Sequence, residues 1–285
     1  MNRIVRRNQL SDNVVELVVA SPVIARKRKP GQFIILRTHA DKAERIPLTI
    51  ADADSNAGTI TLVFQVVGKS TAELSDLKEG DSIHDLAGPL GKPTHVENFG
   101  SVVCIGGGIG IAPLHPIAQA MKSAGNRVTS ILGARTKNLL IMQEHMKKAS
   151  DEVIVVTDDG SAGDQGFVTT ALEKLISSGE KIDMVVAIGP SIMMKMVCKV
   201  TKQHDIRTVV SLNTIMVDGT GMCGCCRVSV DGTTQFVCVD GPEFDGHKVD
   251  FEEMMQRQST YLDQEKKSYE IYKHGCGDNC TCNRK

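Results

Sequence analysis

The run Asp218-Gly219-Thr220-Gly221-Met222-Cys223-Gly224-Cys225-Cys226 packs three thiols and a carboxylate into nine residues, and Cys238 follows twelve residues after Cys226. With Asp218 taken as a ligand, this is the plant-type iron–sulfur spacing: four intervening residues, then two, then a distant fourth ligand, with one cysteine replaced by a carboxylate. Asp218, Cys223, Cys226 and Cys238 are the candidate ligands, and the chemistry they imply is one-electron transfer. Cys225 competes with its neighbour for the third place, although the spacing favours Cys226. Zinc competes for the whole set, because thiolates at similar spacing suit it as well.

A second constellation is built for phosphate. Cys104-Ile105-Gly106-Gly107-Gly108-Ile109-Gly110-Ile111-Ala112-Pro113 follows a strand-like run and opens a helix-like one. Glycines there bring backbone N–H groups and a helix N-terminus against a pyrophosphate. The standard dinucleotide fingerprint is not met, since Ile111 or Pro113 falls where its third glycine belongs; the position between strand and helix still favours phosphate binding over a merely tight glycine turn. About 20 residues on, where NAD-binding chains carry an acid, the sequence reads Arg135-Thr136-Lys137. Those cations suit a 2′-phosphate or a solvated loop, so NAD and NADP both stay open.

The elements that must position these groups fall into three styles. Up to residue 98 the chain shows short alternating strands, Val14–Ala20, Gln32–Arg37 and Thr59–Val67, punctuated by turn residues at Gly80-Asp81-Ser82 and Gly88-Pro89-Leu90-Gly91, which predicts a small antiparallel barrel. From 99 to 212, five β-rich runs (Val102–Ile105, Val128–Leu132, Val153–Thr157, Met184–Ile188, Thr208–Leu212) alternate with helical stretches and predict a doubly wound parallel sheet. Two of those helices stop at glycine, Gly110–Ala124 before Gly125 and Thr169–Ser178 before Gly179. Residues 213–285 lose periodicity and form a small cysteine-bearing module with its tail.

Composition limits the rest. The 33 basic and 34 acidic residues nearly cancel, which disfavours nucleic acid and anionic membranes as partners. Apolar runs are strand-length, and Met1–Val5 lacks a signal-peptide core, so a cytoplasmic protein is expected. Seven of the nine cysteines lie beyond residue 222. In a reducing compartment, such clustering favours metal ligation over disulfides. Cys104 and Cys198 fall on apolar faces and read as packing. Cys276, Cys280 and Cys282, near His274 and Asp278, read either as a further metal site or partner clip, or as a mobile tail with exposed thiols.

Taken in order, these pieces resemble the ferredoxin–NADP reductase superfamily, in its branch of dihydroorotate dehydrogenase electron-transfer subunits. The resemblance implies a flavin-binding β-barrel, a nucleotide-binding α/β domain and a [2Fe–2S] module. In the barrel, Arg45-Ile46-Pro47-Leu48-Thr49 matches the flavin motif, with Arg45 for the FAD phosphates and Pro47, Leu48 and Thr49 along the isoalloxazine edge. Val66-Val67-Gly68-Lys69-Ser70-Thr71 matches the second flavin segment, in which Val66, Gly68, Ser70 and Thr71 face the pyrophosphate; a guanidinium fork and free amides suit a diphosphate. Gly107, Gly108, Gly110, Ala112 and Pro113 match the pyridine-nucleotide turn. Asp158, Asp159, Gly189, Pro190 and Met193 line the NAD(H) site by the same likeness, helix packing being an equal reading for Met193 and Met194.

Most of that branch uses four cysteines for its cluster, whereas one subgroup, heteromeric ferredoxin:NADP oxidoreductases also known as sulfide dehydrogenases, carries one aspartate and three cysteines, as here. That likeness implies NAD(H) as substrate and a larger partner subunit holding a second FAD and [4Fe–4S] clusters. Electron bifurcation would then connect this chain with NADPH and ferredoxin through the partner. No catalytic nucleophile or acid–base pair is expected. The rival readings are a dihydroorotate dehydrogenase electron-transfer subunit and, from another class, a non-catalytic zinc-binding interaction module.

Overall fold

The computed structural model describes residues 2–40 and 43–274. Cys276, Cys280, Cys282 and Asp278 lie outside the described residues.

The first unit is built from β1 (Ile4–Ser11), β2 (Val14–Ala20), α1 (Pro22–Lys27), β3 (Phe33–Arg37), β4 (Ile46–Asp54), β5 (Thr59–Gln65), α2 (Lys69–Asp76) and β6 (Asp85–Leu90). Its six strands run in the order β1-β2-β5-β4-β3-β6, with every pairing antiparallel. The residues just before β6 return to the start of β1: Ile4 N donates to Asp81 O at 2.8 Å, and Ile83 N donates to Asn2 O at 3.0 Å. These bonds cover the free edges and close the barrel. Strand alternation fills it, since Val15, Leu17 and Val19 of β2, Ile34 and Leu36 of β3 and Ile60, Leu62 and Phe64 of β5 form one buried cluster. Gly88-Pro89-Leu90, expected as a turn, is the end of β6. Proline is tolerated there because β6 pairs only with β3, leaving its other side without a ladder to supply.

The second unit comprises β7 (Ser101–Gly107), α3 (Ile111–Ser123), β8 (Arg127–Ala134), α4 (Gln143–Ala149), β9 (Glu152–Thr157), β10 (Asp164–Gln165), α5 (Val168–Ser177), β11 (Met184–Ile188), α6 (Ser191–Lys202) and β12 (Thr208–Ser211). The five expected strands are present and parallel, in the order β9-β8-β7-β11-β12. Their chain order reverses between β7 and β11, the topological switch at which open α/β sheets bind ligands. The two glycine-stopped helices end as expected, with Gly125 at φ +86° and Gly179 at φ +82° in the left-handed conformation of a C-terminal glycine.

The remaining chain forms β13 (Arg227–Val230), β14 (Thr233–Phe236), α7 (Val237–Asp240), β15 (Glu243–Asp245), α8 (Phe251–Gln258) and α9 (Leu262–His274). Its organisation is richer than the loss of periodicity suggested. β15 pairs antiparallel with β12 and extends the nucleotide sheet beyond its five expected strands. Cys226, Val228, Val237, Cys238, Phe251 and Met254 share one buried cluster with Phe33 and Ile35 of the barrel and Val210 of β12. On the other side, Val14, Ala51 and Val63 of the barrel pack with Ile111, Leu114 and Met121 of α3. The His115 ring meets Ala51 O at 3.3 Å in that seam. The first apolar contact ties the barrel to the cysteine-bearing module, and the second ties it to the nucleotide unit.

Candidate functional site

The cluster segment bends at three glycines in the left-handed region, Gly219, Gly221 and Gly224, at φ +76°, +85° and +68°. Asp218 sits inside that bend. Its Oδ1 accepts from the Thr220 amide and from the Thr220 hydroxyl at 2.9 Å, and its Oδ2 accepts from Cys223 N at 2.7 Å. Hydrogen bonds from Cys223 and Thr220 hold the carboxyl well below the usual carboxylate range. Cys226 Sγ lies 3.2 Å from Cys238 Sγ, and both residues are buried, whereas Cys223 is exposed.

The four candidate ligands therefore form two pairs, Asp218 with Cys223 at the surface and Cys226 with Cys238 inside. Among the described residues no three His, Cys, Asp or Glu side chains converge as ligands of one ion. Two pairs fit a binuclear cluster, in which each iron takes two protein ligands, better than one tetrahedral zinc. Burial and the neighbouring Cys226 push the Cys238 thiol up to about 12, so metal binding here must release protons. Cys225 remains a neighbour of the site, its thiol raised by a hydrogen bond with Cys223.

The loop lies directly on the barrel. A Cβ added to Gly219 would stand 2.7 Å from Ile35 Cγ1 and 3.0 Å from Leu90 Cδ1, so only glycine permits the approach. Ile35 is the register partner of Pro47 across β3 and β4, and Phe33 that of Thr49. Antiparallel partners present their side chains to the same face. The face of the barrel that carries Pro47 and Thr49 is thus the one the cluster loop covers. Leu48 alternates to the other side and packs partly against the barrel interior, as does Val66, so those two offer mainly backbone.

The second flavin segment forms the start of α2. Thr71 Oγ1 accepts from Val67 N and Gly68 N, both at 3.1 Å, which leaves the amides of the first helical turn for another acceptor. A Cβ at Gly68 would meet nothing within 4 Å, so the space in front of that turn is open. Ser70 Oγ donates to Glu44 Oε2 at 2.9 Å, joining the exposed Arg45 segment to the same turn. A guanidinium, a hydroxyl and helix-start amides suit a pyrophosphate.

At the switch between β7 and β11, glycines allow two turns to interlock. A Cβ on Gly107 would lie 2.3 Å from Met193 Sδ, one on Gly110 2.3 Å from Ile188 O, and one on Gly189 2.7 Å from Met193 Cε. Gly108, at φ +55°, faces open space. The space left open at this turn is therefore at Gly108 and the start of α3, a helix start suited to a phosphate, where Pro113 falls in the first turn and needs no acceptor. Ala112 and Met194 are fully buried and serve packing; Met193 caps the glycine turn. Asp158 and Asp159 are exposed at the end of β9. Asp159 Oδ1 is occupied by Ser161, accepting from its hydroxyl at 2.6 Å and its amide at 3.0 Å, and those bonds lower its pKa. Arg135 and Lys137 flank the same corner, Asp159 N donating to Arg135 O at 3.3 Å.

Sequence spacing missed several groups at this junction. Glu243 of β15 accepts from Thr94 Oγ1 at 2.5 Å, and a Cβ on nearby Gly31 would lie 2.6 Å from its Oε1. Burial pushes this carboxyl up to about 7 against the opposing effect of the Thr94 bond. Arg227 and Arg257 hold carbonyls of the cluster loop. Arg227 adjoins the candidate ligand Cys226 and could have been found from the spacing; Glu243 and Arg257 arrive only through tertiary packing. Cys104 and Cys198 are buried, and burial pushes both thiols up to about 12, in keeping with packing roles.

Known proteins share this arrangement. Residues 213–250 match the iron–sulfur cluster binding domain of dihydroorotate dehydrogenase B, and residues 104–199 match the oxidoreductase NAD-binding domain. The chain is 50% identical over 98% of both sequences to a dihydroorotate dehydrogenase B (NAD(+)) electron transfer subunit homolog of Thermotoga maritima. It is 32% identical to the electron transfer subunit of Streptococcus mutans dihydroorotate dehydrogenase B, over 86% of this chain and 96% of that one. Among solved structures it superposes with a TM-score of 0.91 and 48% identity on a chain of the NADH-dependent reduced ferredoxin-NADP oxidoreductase, a structure concerned with flavin-based electron bifurcation, covering 95% of this chain and 98% of that one.

Proposed function

Since the chain belongs to the family of dihydroorotate dehydrogenase B electron-transfer subunits, we propose that it is the NAD(H)-facing subunit of a heteromeric ferredoxin:NADP oxidoreductase, moving electrons between a nicotinamide, an FAD and a [2Fe–2S] cluster. Bound FAD supplies the exchange between two-electron chemistry at nicotinamide and one-electron chemistry at a cluster. The residues of this chain hold and order the three groups. Arg45, Ser70 and the first amides of α2 would hold the FAD diphosphate, with Pro47 and Thr49 beside the ring system. Gly107, Gly108 and Gly110 with Gly189, Pro190 and Met193 would seat the dinucleotide at the sheet's switch point. Asp218, Cys223, Cys226 and Cys238 would hold the cluster.

One observation carries the reading: the contact that runs from Pro47 to its strand partner Ile35, and from Ile35 to Gly219 of the cluster loop. Adjacent strands lie about 4.8 Å apart, so a flavin along β4 and a cluster in the loop are neighbours across one strand. No proton donor or acceptor is needed for that step, and none is assigned.

The chain is an oxidoreductase subunit, and electron transfer as its role requires a larger partner. We assign that partner a second FAD and [4Fe–4S] clusters. NADPH oxidation and ferredoxin reduction occur there, and this chain exchanges one electron stream with NAD. The 48% identity to the bifurcating enzyme's chain supports this, as does Asp218 in the first ligand position. Delivery of electrons from a dihydroorotate-oxidising partner is the second reading, favoured by the description of relatives 32–37% identical. Zinc-module chemistry is not retained, because the ligands separate into two pairs and the matched domain binds an iron–sulfur cluster. Among the described residues no helix is long and apolar enough to cross a membrane.

Anaerobic copurification from the native cell, with mass spectrometry of the companion, tests the proposal. A large iron–sulfur flavoprotein that oxidises NADPH is expected. A companion that oxidises dihydroorotate would overturn it.

A further inference from the structure

Two arginines grip the cluster loop from behind. Arg227 Nη1 donates to Gly224 O at 3.2 Å, and Arg257 Nη2 donates to Cys225 O at 3.3 Å. These are consecutive carbonyls, and both lie between Cys223 and Cys226. The cis peptides of the described chain are elsewhere, at Gly88-Pro89 and Gly241-Pro242. In a planar trans peptide the C=O and N–H point in opposite directions. Holding the Gly224 carbonyl therefore turns the Cys225 amide away from Arg227, and holding the Cys225 carbonyl turns the Cys226 amide away from Arg257. Among the described residues neither amide has a backbone acceptor.

The grip is rigidly mounted. Arg257 projects from α8, which is anchored in the core by Phe251 and Met254, 4% and 1% exposed, and capped by Asp250 accepting from Glu253 N at 2.9 Å. Arg227 begins β13, whose Val228 and Val230 are buried. Together with Cys225, Thr214 and Gln258 the two guanidiniums line a small cavity behind the loop.

We propose that Arg227 and Arg257 are positioning residues that brace the cluster-binding turn and raise the reduction potential of the cluster it holds. The inference rests on reading residues 218–238 as a [2Fe–2S] site. Adding an electron to a cluster held there would add negative charge, which two nearby cations favour. Arg257 is partly buried and Arg227 exposed. Solvent and salt screen the second more than the first.

The test is an EPR-monitored redox titration of the full-length, anaerobically purified chain and its R227Q, R257Q, R227Q/R257Q and R257K variants. Iron and acid-labile sulfide are assayed in each sample. Midpoint potentials should fall in both single glutamine variants, more for R257Q, and furthest in the double variant. R257K should lie between wild type and R257Q, because lysine keeps the charge and loses the planar fork. The R227Q shift should shrink at high ionic strength, which a purely structural role would not produce. A wild-type potential in the double variant at full cluster content overturns the proposal. Should R257Q fail to assemble a cluster, wild-type potentials in both R227Q and R257K overturn it equally. A wild-type sample without an iron–sulfur EPR signal sinks the underlying site reading instead.

Discussion

Replacing Gly219 with alanine should release the cluster loop from the barrel. Two costs add at this position. A non-glycine residue held at φ +76° pays about 1–2 kcal/mol for the left-handed backbone. The new methyl would also stand 2.7 Å from Ile35 Cγ1 and 3.0 Å from Leu90 Cδ1. Ile35 is only 4% exposed and fixed within β3, so it has nowhere to swing, and overpacking of that kind costs about 1–3 kcal/mol. Gly224 supplies the control. Its φ is +68°, but an added Cβ would be 3.6 Å from Phe236 Cε1, an ordinary contact. Gly224→Ala should therefore carry the backbone cost alone, and Gly219→Ala about 1–3 kcal/mol more. That difference corresponds to roughly 5- to 150-fold in the population of the docked loop. The assay is loss of the visible cluster absorbance to an iron chelator, with FAD fluorescence of the same sample reporting on the barrel. Gly219→Ala should bleach faster than Gly224→Ala by a factor within that range while FAD stays bound. Equal bleaching rates would refute the claim that contact with β3 positions the cluster.

Two further changes probe other parts of the site. Arg45→Ala should weaken FAD binding by about 10- to 150-fold, the worth of one charge-assisted hydrogen bond at about 1.5–3 kcal/mol; isothermal titration showing unchanged affinity would remove Arg45 from the diphosphate. Glu243 predicts a pH dependence. Its folded pKa, about 7, lies above the ordinary value of 4.5, so the native state binds that proton more tightly. The stabilisation is therefore complete below pH 4.5, is lost as pH rises towards 7, and changes no further above it, an effect of at most about 3 kcal/mol. Urea unfolding between pH 5 and 8 should show this decline in the wild type and a flatter profile in Glu243→Gln; identical slopes would rule out Glu243 as the source.

Much of this arrangement was legible in the chain because local chemistry forces it. The strand Val14–Ala20 appears with the expected bounds, since four valines and a leucine in seven residues favour an extended, mostly buried strand. The glycine turn announced itself because Gly107 and Gly110 sit where any side chain would strike Met193 or Ile188. The segment from Asp218 to Cys226 stood out for a similar reason: it bends at three left-handed glycines, Gly219, Gly221 and Gly224. What stayed hidden depends on partners distant in sequence. β15 is only three residues long and takes its strand character from β12. Gly88-Pro89-Leu90 has turn chemistry, yet the hydrogen bonds available from β3 make it strand. Tyr272 of α9 donates to Asp76 at the end of α2, returning the last helix to the barrel, and nothing near Tyr272 in the sequence foretells that contact. The places of Arg257 and Glu243 beside the site were invisible on the same ground.

In the function proposed for this chain, Asp218, Cys223, Cys226 and Cys238 hold a [2Fe–2S] cluster that would be fed from NADH through a flavin on the same chain. The decisive experiment is EPR spectroscopy of the anaerobic full-length protein reduced with NADH, compared with Asp218→Cys. The signal of a reduced [2Fe–2S] centre is expected in both, with changed g values and a changed potential in the variant, since a thiolate replaces a harder oxygen ligand. An iron-free protein, or a variant spectrum identical to the wild type, would contradict the assignment.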